Sequence, residues 1–201
     1  MMHLATRFDL LDDLVEQGNG YLRTADVVAK GVSKPTLAEY VQARNMERVA
    51  HGIYLSEEAW PDELFLLSAA NSRIVFSHET ALHLHGLMER EPSSICVSVK
   101  NGYNASHLRQ RSIRVYQVKA DVYSLGITQA LTTWGHAVPV YDRDRTICDL
   151  VLHKQSMDIQ IFQYAMKEYM TGSDKNLNHL MLYAEKLHIA NLMRMYTEVM
   201  L

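Results

Sequence analysis

Three histidines, His78, His83 and His85, lie close together in the stretch SHETALHLHGL, with Glu79 beside the first of them. A histidine–glutamate pattern of this kind binds zinc when its two histidines are four residues apart, because both imidazoles then leave one face of a helix. Here His78 and His83 are five residues apart, so their side chains diverge by about 140°, and His85 lies about 10 Å along the axis from His78. The spacing therefore predicts a structural helix and no metal site.

Three aspartates, Asp142, Asp144 and Asp149, surround the start of another predicted helix, and carboxylates at close spacing can bind Mg²⁺ for phosphoryl transfer. On a helix, however, Asp142 and Asp149 are about 10 Å apart along the axis. Asp142 is better explained as the N-cap, Asp144 as a first-turn acid, and Asp149 as the partner of Arg145. No G-x-S-x-G hydrolase motif is present either. The sequence predicts no catalytic residue, no cofactor and no enzyme activity.

Composition narrows the class of protein further. The 201 residues are 48% hydrophobic, which is enough for a sizeable core, and the formal net charge is −3, so nucleic-acid binding would have to depend on local positive charge. Cys96 and Cys148 stand singly in apolar segments, which disfavours a disulfide or a zinc ribbon. There is neither a membrane-spanning apolar stretch nor a signal-peptide pattern, so we expect a cytoplasmic protein without a membrane partner.

The elements that would position a nucleic-acid site lie in residues 1–58. FDLLDDLVEQG predicts a first helix, Thr24 is expected to cap a short second helix, and Ser33 is expected to cap a third. MERVAHGIYL then predicts two short strands that reverse at His51 and Gly52. Helix, helix, tight turn, helix and a two-stranded hairpin form the order of a winged helix-turn-helix domain, whose third helix enters the DNA major groove.

The third helix and the hairpin supply the candidate DNA contacts. Thr36 and Gln42 lie opposite the apolar positions Leu37 and Val41 and are predicted to read base edges. Basic side chains at the helix ends and on the hairpin are expected to bind phosphates: Arg23, Lys34, Arg44, Arg48 and His51. The alternatives are a plain winged-helix transcriptional regulator, or a module that binds a protein through the same surface.

Residues 59–201 predict a mixed α/β domain, with strands over about 73–141 and a helical segment over about 143–201, so that the fold class of the chain is α+β. A basic run lies among the strands, because no acid occurs between Glu91 and Asp121. Its members are Lys100, Arg109, Arg111, Arg114 and Lys119. Arg114 and Tyr116 share one face of a strand, which makes the run a candidate second nucleic-acid surface. The alternatives are a solvated sheet face or a surface for a second protomer.

Several motifs, taken in their order along the chain, resemble the AbiEi family: GVSKPTL, MERVAHGIYL, FSHETALHLHGL, SICVSVK and VPVYDRDRTICDLV. This family comprises the antitoxins and transcriptional repressors of type IV toxin-antitoxin systems associated with abortive infection. The resemblance implies autoregulation, in which a winged helix binds repeats in operator DNA upstream of its own operon. Repressors commonly bind inverted repeats in pairs, so two copies per operator are expected. It also implies a C-terminal domain needed for antitoxicity, and a nucleotidyltransferase-like toxin that is opposed without a stable complex.

Overall fold

The chain is an α+β protein, and its computed structural model describes residues 4–200. The terminal residues of the two predicted domains, 1–3 and 201, lie outside this range. Two compact units are present: the first consists of the described residues up to Ser72 together with Leu131–Ala137, and the second of Arg73–Ala130 together with the residues from Val138 onward. None of the helices in residues 4–200 is long and apolar enough to cross a membrane.

The first unit combines short helices with a three-stranded antiparallel sheet. Its elements are α1 (Leu4–Gln17), β1 (Tyr21–Arg23), α2 (Thr24–Ala29), α3 (Lys34–Ala43), β2 (Glu47–Ala50), β3 (Ile53–Leu55) and α4 (Glu63–Ala70). The strand order is β1-β3-β2, and β2 and β3 form the predicted hairpin. Strand β1 was not predicted from the sequence, and its pairing with β3 defines it.

A buried core holds α1, α2 and α3 together through Leu11, Val27, Leu37 and Tyr40. The hydroxyl of Ser33 accepts the backbone N–H of Thr36, which confirms the predicted cap of α3. The predicted short helix α2 is present, but its predicted cap was wrong, because the helix begins at Thr24 and Arg23 occupies the N-cap position without a side-chain cap.

The first unit extends past the domain boundary predicted at residue 58, and buried polar contacts account for the extension. Asp62, at the start of α4, accepts the hydroxyl of Thr132 at 2.5 Å and lies 2.7 Å from Nδ1 of His136. Nε2 of His136 lies 3.2 Å from the carbonyl oxygen of Gly18. The two ring nitrogens of His136 therefore lie against Asp62 and Gly18. These bonds tie α4 and residues 131–137 to the N-terminal elements.

The second unit contains a mixed five-stranded sheet followed by helices. Its elements are β4 (Val75–Phe76), α5 (His78–Leu84), β5 (Cys96–Lys100), α6 (Ser106–Gln110), β6 (Arg114–Val118), α7 (Ala120–Tyr123), β7 (Ile127–Leu131), β8 (Ala137–Tyr141), α8 (Arg143–Leu152), α9 (Ile159–Thr171), α10 (Leu177–Lys186) and α11 (Ala190–Met200). The strand order is β6-β5-β4-β8-β7, with β4 antiparallel to β5 and parallel to β8. From residue 143 the chain is helical, as predicted, and α8 to α11 share one apolar core.

Candidate nucleic-acid interface

A cleft of ≈ 640 Å³ opens in the first unit between α2, α3 and the β2–β3 hairpin. Its basic lining residues are Arg23, Lys34, Arg48 and His51, all four of which the sequence predicted to meet phosphates. Small or apolar side chains such as Val28 and Ala38 form the rest of the wall, and none of the lining residues is acidic. The fold therefore brings dispersed basic side chains from a helix start, from strands and from a turn to one concave surface.

Local backbone contacts fix the two sides of this cleft. Lys34 is the first residue of α3 and is exposed, so the Ser33 cap determines where its side chain leaves the helix. The backbone N–H of Thr24 donates to the carbonyl oxygen of Gly52 at 2.8 Å, which joins the start of α2 to the hairpin turn. Arg48 reaches the same turn, with Nη2 3.3 Å from Nδ1 of His51. These contacts consequently fix the backbone from which the basic side chains project.

Two of the predicted phosphate contacts are already engaged within the unit. Arg23 binds both carboxylate oxygens of Asp26, at 2.7 and 3.1 Å. Arg44 lies outside the lining of the cleft and binds Asp12 of α1 at 2.5 Å, and Asp12 also accepts the hydroxyl of Tyr40 at 2.6 Å. Burial and the neighbouring Asp12 raise the pKa of Tyr40. Arg44 therefore links α3 to α1 through an exposed ion pair, and its contact with phosphate stays a prediction.

The prediction that Thr36 reads base edges requires correction. Its residue is only 8% exposed, and its hydroxyl lies 2.9 Å from that of Ser33. Thr36 is one turn from the buried Tyr40, so it faces the core with it. The exposed face of α3 runs instead through Ala38 and Gln42. The sequence pattern missed Ala38, although its position four residues after Lys34 places both on one face.

The basic run of the second unit is only partly available to a ligand. Arg114 donates to Oε1 of Glu79 at 2.6 Å, and Glu79 also accepts the Cys96 thiol at 3.1 Å. The ring of Tyr116 stacks on His78 with centroids 3.4 Å apart. Burial raises the pKa of Tyr116 to about 12. This corrects the prediction that Arg114 and Tyr116 project together from an open sheet face, because α5 supplies partners for both.

The remaining members of the run are exposed: Lys100, Arg109, Arg111 and Lys119. Lys100 ends β5 opposite Val118 of the parallel strand β6, so Lys100 and Lys119 lie at the same end of two neighbouring strands. Arg109 belongs to α6 and Arg111 follows it directly. These four side chains are therefore accessible to a ligand. Lys100 in addition lies over the ring of Tyr123, with Nζ 5.2 Å from the ring centroid.

The three histidines of the SHETALHLHGL stretch do not converge on one site. His78 faces His153, with 3.1 Å between Nε2 and Nδ1, whereas Nε2 of His85 lies 2.7 Å from the carbonyl oxygen of Tyr141. Burial lowers the pKa of both His78 and His85. His83 contributes a buried Nδ1 without a hydrogen-bond partner. Among residues 4–200, no group of three or more histidine, cysteine or acidic side chains is arranged to hold a metal ion.

The aspartates around α8 have structural partners. Asp142 accepts the backbone N–H of Arg145 at 2.7 Å, and Arg145 binds Asp149 at 3.1 Å, so both predicted local roles are confirmed. Asp144 accepts the hydroxyl of Tyr169 and lies 2.7 Å from Nδ1 of His179. It thereby connects α8 to α9 and α10, a role that its first-turn position alone did not indicate.

Comparison with known proteins yields a similarity of fold. No protein-family model matches the chain, and a search of curated proteins also finds no match. Among solved structures, the chain is similar to the RV2827C protein from Mycobacterium tuberculosis, with a TM-score of 0.55 and 11% sequence identity over 90% of this chain and 71% of that chain. At this identity the likeness concerns the fold alone.

Proposed function

We propose that the first unit is a winged helix-turn-helix domain that binds double-stranded DNA, with α3 as the recognition helix and the β2–β3 hairpin as the wing. The order of α1, β1, α2, α3, β2 and β3 supports this assignment. So does the tight connection between α2 and α3, where Gly31 adopts φ +77°. A turn of this kind sets two short helices at an angle and leaves the second one free to enter a groove.

The main support for DNA binding is the cleft between α2, α3 and the hairpin, whose lining contains no acidic residue. Lys34 stands at the positive end of the α3 dipole, and Arg48 and His51 face it from the wing. Basic side chains on both sides of the cleft can bind the phosphates that flank a recognition helix. Such contacts supply most of the affinity of DNA binding. The overall charge of −3 is compatible with this role because the relevant charge is local.

Base recognition would fall to the exposed face of α3. The amide of Gln42 can donate to and accept from an adenine edge, and the methyl group of Ala38 can pack on a thymine methyl. Glu39, which lies between them in the sequence, can accept a hydrogen bond from the amino group of cytosine. These three residues are therefore the proposed source of sequence preference, and the cations of the cleft position them.

We further propose, from the family resemblance of the motifs, that the chain is the antitoxin of a type IV system and represses its own operon. Its counterpart is a nucleotidyltransferase-like toxin, whose effect it opposes without a stable complex. Two copies on inverted operator repeats are the expected assembly on DNA. A plain regulator would bind the operator but not protect cells from a toxin, and a protein-interaction module would do neither.

A salt titration tests the DNA-binding proposal. Fluorescence anisotropy would follow binding to a labelled duplex from the region upstream of the gene, for the wild type and the double variant Lys34→Ala/Arg48→Ala. Losing two phosphate contacts should lower the slope of log affinity against log salt by about 1.8, and weaken binding about 30-fold near 0.15 M salt. The matched control is Lys167→Ala/Arg90→Ala, which removes two exposed charges from the second unit.

An unchanged salt slope and affinity in the Lys34→Ala/Arg48→Ala variant would refute this placement of the DNA site. Equal losses of affinity in the control variant would show that the effect comes from the total charge of the protein. The antitoxin role has its own readout, which is growth after co-expression with the product of an adjacent nucleotidyltransferase-like gene. Rescue of growth is expected for the wild type. Absence of rescue, together with retained operator binding, would favour the plain regulator.

A further inference from the structure

The two tryptophans of the chain are both exposed and lie against each other in the first unit. Trp60 is 69% exposed and Trp134 is 47% exposed, and their ring centroids are 6.3 Å apart at an interplanar angle of 19°. Tryptophan side chains are largely buried on average, and an exposed aromatic cluster marks an interaction surface. Tryptophan is also among the residues that contribute most to the affinity of protein interfaces. The pair therefore indicates a surface that a partner covers.

Buried polar contacts hold the two indole rings in place. Trp60 lies two residues before Asp62, whose carboxylate binds Thr132 and His136 on either side of Trp134 in the sequence. The turn that carries Trp134 is closed by the backbone N–H of Thr132, which donates to the carbonyl oxygen of His136 at 2.9 Å. The ring pair is consequently preorganised, which lowers the entropic cost of binding a partner.

The charges around this pair are acidic. Between Arg48 and Arg73 the sequence has no lysine or arginine, and residues 131–137 have none either. Three exposed glutamates lie within three residues of Trp60 along the chain: Glu57, Glu58 and Glu63. None of the three forms an ion pair among residues 4–200. The two tryptophans and these three glutamates, which we call the tryptophan patch, therefore suit a cationic partner.

Among cationic groups, the guanidinium of arginine matches the tryptophan patch best. It is planar and weakly hydrated, so it can stack on an indole ring while its N–H groups donate to carboxylates. The ammonium group of lysine is more strongly hydrated and has no planar face. Nucleic acids also stack on exposed aromatic rings, but they do so in positively charged grooves. The chemistry of the patch thus favours a protein surface that presents arginine.

The second unit of the chain presents such a surface. Arg109 and Arg111 are exposed at the end of α6, and neither forms an ion pair within the described part of the chain. The backbone N–H of Arg111 donates to the carbonyl oxygen of Leu108 at 3.0 Å, which fixes the helix end that carries both side chains. No acid occurs between Glu91 and Asp121 to neutralise them locally. One chain therefore carries both an acidic aromatic surface and an arginine surface of complementary charge.

We propose that two copies of this chain associate through the tryptophan patch of one copy and Arg109 and Arg111 of the other. The guanidinium groups stack on the indole rings, and the glutamates bind the same arginines from the rim. Both surfaces are small, so the contact belongs to the weak, transient class of interfaces, with a Kd on the order of 100 µM. This association does not depend on DNA binding by the first unit.

Sedimentation equilibrium of the full-length protein tests the association directly. Between roughly 5 and 500 µM protein, a range that brackets the expected Kd, the average mass should rise above that of the monomer. Raising the salt from about 0.1 to 1 M should weaken the association, because the complementary charges are screened. Tryptophan emission should shift to shorter wavelength over the same concentrations, since both exposed indoles become covered. A monomer at the highest concentration would overturn the proposal.

Substitutions on each surface test which residues meet. Arg109→Glu/Arg111→Glu and Trp60→Ala/Trp134→Ala change only exposed side chains, so both should fold normally and weaken association about tenfold or more. The matched control is Arg90→Glu/Lys167→Glu, which makes the same change of charge at other exposed positions of the second unit and should associate as the wild type does. Wild-type association in the arginine or the tryptophan variant would refute the contact.

Charge reversal on both surfaces gives a stricter test. Glu57→Arg/Glu58→Arg should weaken association, and its combination with Arg109→Glu/Arg111→Glu in one chain should regain part of the affinity, because opposite charges meet again. No gain over the two parent variants would show that these surfaces do not meet. Duplex DNA separates the remaining possibility: if Arg109→Glu/Arg111→Glu loses DNA affinity but self-associates as the wild type does, the arginines bind nucleic acid and the proposal fails.

Discussion

The hydroxyl of Thr132 allows a direct test of how residues 131–137 are held in the first unit. It is buried, donates to Asp62 at 2.5 Å and accepts the backbone N–H of His136 at 3.1 Å. Thr132→Val keeps the shape of the side chain, removes one donor from a buried carboxylate and leaves a backbone N–H unpaired. Hydrogen bonds to charged groups contribute ~1.5–3 kcal/mol, so the free energy of unfolding of this unit should fall by about 2 kcal/mol.

Tryptophan fluorescence during urea unfolding measures this change selectively, because both tryptophans of the chain, Trp60 and Trp134, belong to the first unit. With a urea dependence of roughly 1.5 kcal/mol per M, the midpoint should fall by about 1.3 M. The matched control is Thr133→Val, which changes the neighbouring exposed threonine and should shift the midpoint by less than about 0.3 M. If the two variants unfold at the same urea concentration, the Asp62 network does not stabilise the unit as argued.

Three further predictions address the local structure of both units. Ser33→Ala should destabilise the first unit by about 1 kcal/mol, because α3 loses its cap, and a tryptophan-monitored midpoint equal to wild type would contradict that role. Burial lowers the pKa of His78, so the unfolded chain takes up a proton more readily, and stability should fall as the pH drops below about 6.5. The circular dichroism melting temperature should show this decline, less steeply in His78→Asn, and equal pH slopes would be inconsistent with a buried neutral imidazole. Burial raises the pKa of the Cys96 thiol to about 12 and that of Cys148 as well, so a thiol reagent should modify both only after urea is added, and rapid modification of the native protein would disagree.

Features set by neighbouring residues could be predicted from the sequence. The Ser33 cap and the bonds of Asp142 and Asp149 with Arg145 span three or four residues, a separation that helix geometry brings together whatever surrounds it. The β2–β3 hairpin is local in the same sense, since it reverses at Gly52. The candidate DNA cleft was predictable to the extent that its cations lie on these local elements.

Tertiary structure decided which faces are covered, and the sequence pattern could not show this. Thr36 was expected on the open face of α3, but packing of that helix buries it. Arg114 meets Glu79 from 35 positions away, because α5 lies against the strand that carries Arg114. Periodicity shows that a strand or helix has two faces, but whether the polar one meets water depends on which distant element packs there.

The buried polar groups show most clearly which features are local in the sequence and which depend on tertiary structure. The composition and spacing of the chain determined an α+β protein with a helical C-terminal segment and a locally basic N-terminal hairpin region. Only the fold joined Asp62 to His136, which are 74 residues apart along the chain. Such contacts join elements that are far apart along the chain, and no periodic pattern in the sequence indicates that these elements meet. Their packing is determined by burial of the whole core.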